Sequence, residues 1–93
     1  MIKLTGNYVY LIVEKIRKDG NHHLKVGDIL EGYALEEPEE GICFSLHPYH
    51  IVKMSNYPKF TTNVVQEIDF EKMLITTTDI VFKFTVDEGM AVE

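Results

Sequence analysis

The chain has no tryptophan, a single cysteine and only three prolines in 93 residues. One cysteine, Cys43, excludes an intrachain disulfide. Small secreted domains commonly depend on disulfides, so a reducing, cytoplasmic setting is expected. Long apolar runs are missing too. The longest, Tyr8-Val9-Tyr10-Leu11-Ile12-Val13, falls far short of the ~20 residues a membrane-spanning helix needs. The first six residues have no signal-peptide apolar core. The six glycines stand singly, which leaves no phosphate-cradling loop. No serine sits in a nucleophile elbow, and no carboxylate pair stands out from the surface charge. The sequence therefore predicts a protein that is not an enzyme and needs no cofactor.

What is present suits one ordered domain spanning 1–93, with a loose tail from Asp87 onward. Apolar residues make up 45% of the chain, with five tyrosines and five phenylalanines. No segment keeps a helical apolar period over ten residues, although 48–54 allows a short helical turn. Strand signals recur instead. Residues 7–17 open with a run that is apolar on both faces, as in a central or wrapped strand. Asp19-Gly20-Asn21 is a turn signal. Residues 29–35 form a second strand, and Gly32 within it suggests a bulge or sharp bend.

After the charged loop Glu36-Glu37-Pro38-Glu39-Glu40-Gly41, residues 42–46 place Ile42, Phe44 and Leu46 on one face. Pro48 interrupts this strand, which has room to resume over 51–54. Residues 63–69 and 73–78 read as a hairpin around Phe70-Glu71-Lys72. Residues 80–86 alternate, with Ile80, Phe82, Phe84 and Val86 on one side. Short strands separated by regular turns predict an all-β fold. A small barrel of five or six strands is favoured over a two-sheet sandwich.

Two stretches carry resemblances. Leu24-Lys25-Val26-Gly27-Asp28-Ile29-Leu30-Glu31-Gly32-Tyr33-Ala34-Leu35 resembles the entry into the first long strand of small SH3-like and OB-like barrels. Ile75-Thr76-Thr77-Thr78-Asp79-Ile80-Val81-Phe82-Lys83-Phe84 resembles the end of short bacterial or phage-encoded β proteins. The first implies a barrel, and neither implies a function.

Charge is unevenly placed. The net charge is −6, and residues 26–52 hold Asp28, Glu31, Glu36, Glu37, Glu39 and Glu40 without one Lys or Arg. The remainder is neutral. Charge runs are usually solvated faces, and here one would also keep an edge strand from pairing with other chains. The functional alternative is an acidic surface, extended by Tyr49 in the bend that follows, which docks a protein partner. The opposite sign clusters at Lys15, Arg17, Lys18 and Lys25, around a turn holding His22 and His23. With tyrosines 8, 10, 49 and 57 exposed, these cations would suit a nucleic-acid-binding barrel. The acidic total opposes that, because it repels phosphate at long range.

Cys43, His47 and His50 are spaced loosely like metal ligands. On a straight strand Cys43 and His47 would lie about 13 Å apart, too far for one ion. The spacing matches no established metal site, so no metal is predicted. Cys43 is expected to be a small buried hydrophobe. The favoured reading is a non-catalytic interaction or regulatory module, monomeric or homodimeric, acting through its acidic stretch. Nucleic-acid binding is the alternative.

Overall fold

A computed structural model describes residues 3–17, 24–48 and 59–87. Among these residues all regular structure is β. The strands are β1 (Tyr8–Ile16), β2 (Ile29–Tyr33), β3 (Cys43–Leu46), β4 (Phe60–Asp69), β5 (Leu74–Thr77) and β6 (Ile80–Asp87). The expected elements at 51–54 and 48–54 fall wholly or mostly outside the described residues.

The six strands form one antiparallel sheet in the order β2-β1-β6-β5-β4-β3. Neighbours in the sheet are neighbours in sequence, apart from β1 and β6, whose long ladder ties the first strand to the last. The two ends of the sheet then curl towards each other. They meet at one bridge, where Tyr33 and His47 exchange backbone hydrogen bonds of 2.7 and 2.9 Å. The result is a nearly closed barrel, and its seam lies between β2 and β3.

Alternation explains the interior. Val9, Leu11 and Val13 of β1 face Ile80, Phe82 and Phe84 of β6, with Phe44, Leu46, Val65 and Ile75 completing the wall. Leu4 is fully buried in the same core. It is held there because the segment before β1 pairs with Ala34: Gly6 donates to the Ala34 carbonyl at 2.7 Å and Ala34 donates to Asn7 at 3.0 Å. Truncating Phe82 in such a core costs about 3–5 kcal/mol. The outward row of β1, namely Tyr8, Tyr10 and Ile12, is only half-buried.

Three expectations change here. Gly32 marks no bulge, since the β1–β2 register runs unbroken through Val9↔Gly32. Glycine is needed because a Cβ would lie 2.8 Å from the His47 carbonyl oxygen and 3.0 Å from its nitrogen. The bulges lie instead at Val13/Lys15, Cys43/Ser45 and Val65/Glu67. Ile42 is 46% exposed and does not share the buried face of Phe44 and Leu46. It follows Gly41, whose φ of +92° belongs to the turn, so strand alternation has not yet begun. Asp87 is not tail: it ends β6 opposite Tyr8.

Candidate interaction surface

The acidic segment divides into carboxylates that build the fold and carboxylates that the fold presents. Asp28 accepts the Lys25 N–H at 2.8 Å and closes the tight turn in which Gly27 has φ +96°. Glu31 accepts the Tyr8 hydroxyl at 2.8 Å. Glu37 does most. Its Oε1 accepts the Leu4 N–H at 3.0 Å, and its Oε2 accepts the Thr5 N–H at 2.9 Å and the Thr5 hydroxyl. Burial alone would raise the Glu37 pKa, but these donors and nearby Lys3 outweigh it and hold the carboxyl below its ordinary range. Glu36, Glu39 and Glu40 make no such bonds and are exposed. Tyr49 lies outside the described residues.

Of the exposed acids, Glu36 borders a cleft of about 310 Å³, lined by Leu35, Glu36 and Glu37 on one side and Ile42, Cys43, Phe44, Ser45, His47 and Lys59 on the other. Its origin is topological. Tyr33 and His47 are the last bridged pair of the seam. Were the antiparallel ladder to continue, Leu35 would oppose Ser45 and Glu37 would oppose Cys43. No backbone bond joins those residues, and the space between them is the cleft. On its β3 side, Phe44 donates to the Thr62 hydroxyl at 3.0 Å and Ile42 accepts from Val65 at 2.9 Å, both across to β4. The alternate residues Cys43 and Ser45 therefore turn their backbone groups toward the cleft, as His47 does.

Cys43 is exposed, not buried. It alternates with the inward Phe44 and Leu46, and this position in the pleat outweighs the general tendency of cysteine toward the core. His47 also lines the cleft. Burial and the Lys59 ammonium push its pKa below the ordinary value, against a smaller opposing pull from Glu36. His22, His23 and His50 lie outside the described residues. Among the described residues no group of three or more His, Cys, Asp or Glu side chains is placed to hold a metal ion.

The basic candidates are dispersed in role. Lys15 and Lys25 are exposed. The Arg17 guanidinium is committed to the fold, donating to Gln66 Oε1 at 2.5 Å and the Thr77 carbonyl at 2.6 Å. Lys18 and Tyr57 lie outside the described residues. Tyr8 and Tyr10 share the outward face of the sheet with Tyr33. The rings meet edge to face, with centroids 5.4 Å apart for Tyr8–Tyr10 and 5.0 Å for Tyr8–Tyr33. Carboxylates stand beside them: Glu31 opposite Tyr10 and Asp87 opposite Tyr8. Burial, with the Glu31 carboxylate next in weight, raises the Tyr8 hydroxyl to about 12. Further along this face are Lys15 and Lys83, opposite Val81 and Ile12 respectively.

Sequence reasoning missed Leu35, Ile42, Ser45 and Lys59 as cleft walls. None carries a local signal, since the seam brings them together from separate parts of the chain. No helix of the described residues is long and apolar enough to cross a membrane. No family model matches the chain, and no significant match is found among curated proteins or solved structures.

Proposed function

We propose that the protein is a non-catalytic interaction module that docks a basic protein segment on the cleft at its open seam. One observation carries the reading: Glu36, an acid left over from building the fold, lines the cleft, and the exposed Glu39 and Glu40 follow it on the same β2–β3 connection. A cationic partner gains on-rate and orientation from such a border. An exposed, solitary thiol at Cys43 suits a reducing, cytoplasmic setting. The test compares the wild type with a Glu36→Gln/Glu39→Gln/Glu40→Gln variant for binding to cationic polypeptides at increasing salt. Wild-type binding should weaken with salt and fall sharply in the variant. Equal binding by both proteins would sink the reading.

Nucleic-acid binding is the second reading, favoured by the shared outward face of Tyr8, Tyr10 and Lys15. Glu31 and Asp87 beside the rings oppose it, because they would meet a phosphate backbone. Fluorescence anisotropy with single-stranded DNA and RNA oligonucleotides across a salt series decides it. Affinity that falls steeply with salt and is lost in Lys15→Gln/Lys83→Gln would favour nucleic acid over protein.

A further inference from the structure

We infer that the occupant of the cleft is an extended, basic peptide segment that adds as a short strand to the free edge of β3. This rests on the proposed interaction function and specifies its mode. The edge is defined by the ladders on either side. Phe44 of β3 gives its N–H to the Thr62 hydroxyl of β4, and Ile42 just before β3 accepts the Val65 N–H; by alternation Cys43 and Ser45 then each direct an N–H and a C=O into the cleft. On the far side Leu35 stands where the next ladder partner would be. An incoming extended chain supplies the donors and acceptors such an edge lacks, with affinity from main-chain bonds and selectivity from alternate side chains.

The walls state which side chains fit. Leu35 and the half-exposed Ile42 offer apolar contact. Glu36, with Glu39 and Glu40 beyond it, favours Lys or Arg on the side of the β2–β3 connection. Lys59 lines the opposite wall and disfavours a second cation there. The cleft volume of about 310 Å³ is at the small end for a small-molecule pocket. That suits one or two side chains of a longer segment better than a whole metabolite. A second copy of this chain is the wrong occupant on charge, since each copy carries a net −6 and would bring acidic surface against the Glu36 side of the cleft.

Cys43, the chain's one thiol, lines the cleft and reports occupancy without any label. The experiment selects binders from a phage-displayed random dodecapeptide library against the full-length protein. Selected peptides are then synthesised with native backbones and with N-methyl groups at alternate residues. Affinity is measured for each, together with the rate at which N-ethylmaleimide alkylates Cys43.

Selected peptides are expected to be rich in Lys or Arg and to slow alkylation of Cys43 at least about fivefold at saturation. N-methylation in one of the two alternating registers should weaken binding at least about tenfold, because it removes ladder donors worth about 1.4 kcal/mol. Loss of affinity in Glu36→Gln/Glu39→Gln/Glu40→Gln with no effect of N-methylation would overturn strand addition and leave the acidic docking surface standing. Binding that leaves Cys43 alkylation unchanged would also overturn it, by placing the peptide elsewhere. Selection that yields no binders, or only binders indifferent to the triple substitution, would overturn both readings.

Discussion

Glu37 is the residue whose removal tests the fold most directly, because one carboxylate receives three donors from the segment ahead of β1. Hydrogen bonds to a charged acceptor contribute about 1.5–3 kcal/mol each when well buried. Glu37 is only half-buried and its bonds share one side chain, so the low end applies and simple addition does not. Glu37→Ala should cost about 2–3 kcal/mol, including the penalty of leaving the part-buried Leu4 N–H without a partner. Glu37→Gln should cost about 1–2 kcal/mol, since the amide keeps one acceptor oxygen and turns a donor toward the others. In a chain of this size each kcal/mol lowers Tm by about 4–8 °C.

The pH dependence has a definite sign. The Glu37 pKa is lowered in the folded state from an ordinary 4.5. Its contribution is therefore complete above that value and lost as pH falls through the folded pKa. Urea unfolding of wild type and Glu37→Gln at pH 7 should show the full difference, and repeating it toward pH 3 should shrink it. Carboxylates common to both proteins cancel in the comparison. A Glu37→Ala variant within about 0.5 kcal/mol of wild type, the range of an inconsequential surface change, would refute the reasoning. So would a gap between wild type and Glu37→Gln that does not narrow with acid.

Other consequences follow from the same geometry. Gly32→Ala should destabilise by about 1–3 kcal/mol, because the new methyl overlaps the His47 backbone. Hydrogen exchange should then quicken at the Tyr33 and His47 amides, and unchanged rates would show that the bridge does not close the seam. Ultraviolet titration of the tyrosines should show Tyr8 ionising near 12. Replacing Glu31 with Gln should bring it part of the way back toward 10. Proton NMR should find His47 titrating below 6.5, with Lys59→Gln raising that value and Glu36→Gln lowering it further. Thr77→Val should cost about 1–3 kcal/mol in thermal unfolding. The buried Thr77 hydroxyl accepts the Ile80 N–H at 3.1 Å and lies 2.8 Å from Asp79 Oδ1, neither of which valine can satisfy.

Much of the barrel was legible because strand periodicity is local. Ile80, Phe82 and Phe84 alternate with Val81, Lys83 and Thr85, and that pattern alone assigns the inner row of β6. The Tyr8-to-Val13 run told of a strand apolar on both sides. The structure shows why: its inner row is core, and its outer row packs tyrosine rings together. Cys43 was misjudged by residue type although the alternation of Phe44 and Leu46 already pointed it outward. No bulge lies at Gly32, and the need for glycine there was not legible for a different reason, since the atom that forbids a side chain belongs to His47, fifteen positions along the chain.

The acidic segment draws the line between the two kinds of knowledge. Sequence by itself determined an all-β chain and the confinement of the net charge to residues 26–52, because composition and two-residue periodicity are read one neighbour at a time. Only the tertiary structure decided that Glu31 and Glu37 serve as hydrogen-bond acceptors within the fold while Glu36, Glu39 and Glu40 face outward. The division depends on where the Leu4 and Thr5 N–H groups and the Tyr8 hydroxyl arrive from distant parts of the chain. The open seam has the same origin: a ladder ends where two remote strands diverge, and no local pattern records that separation.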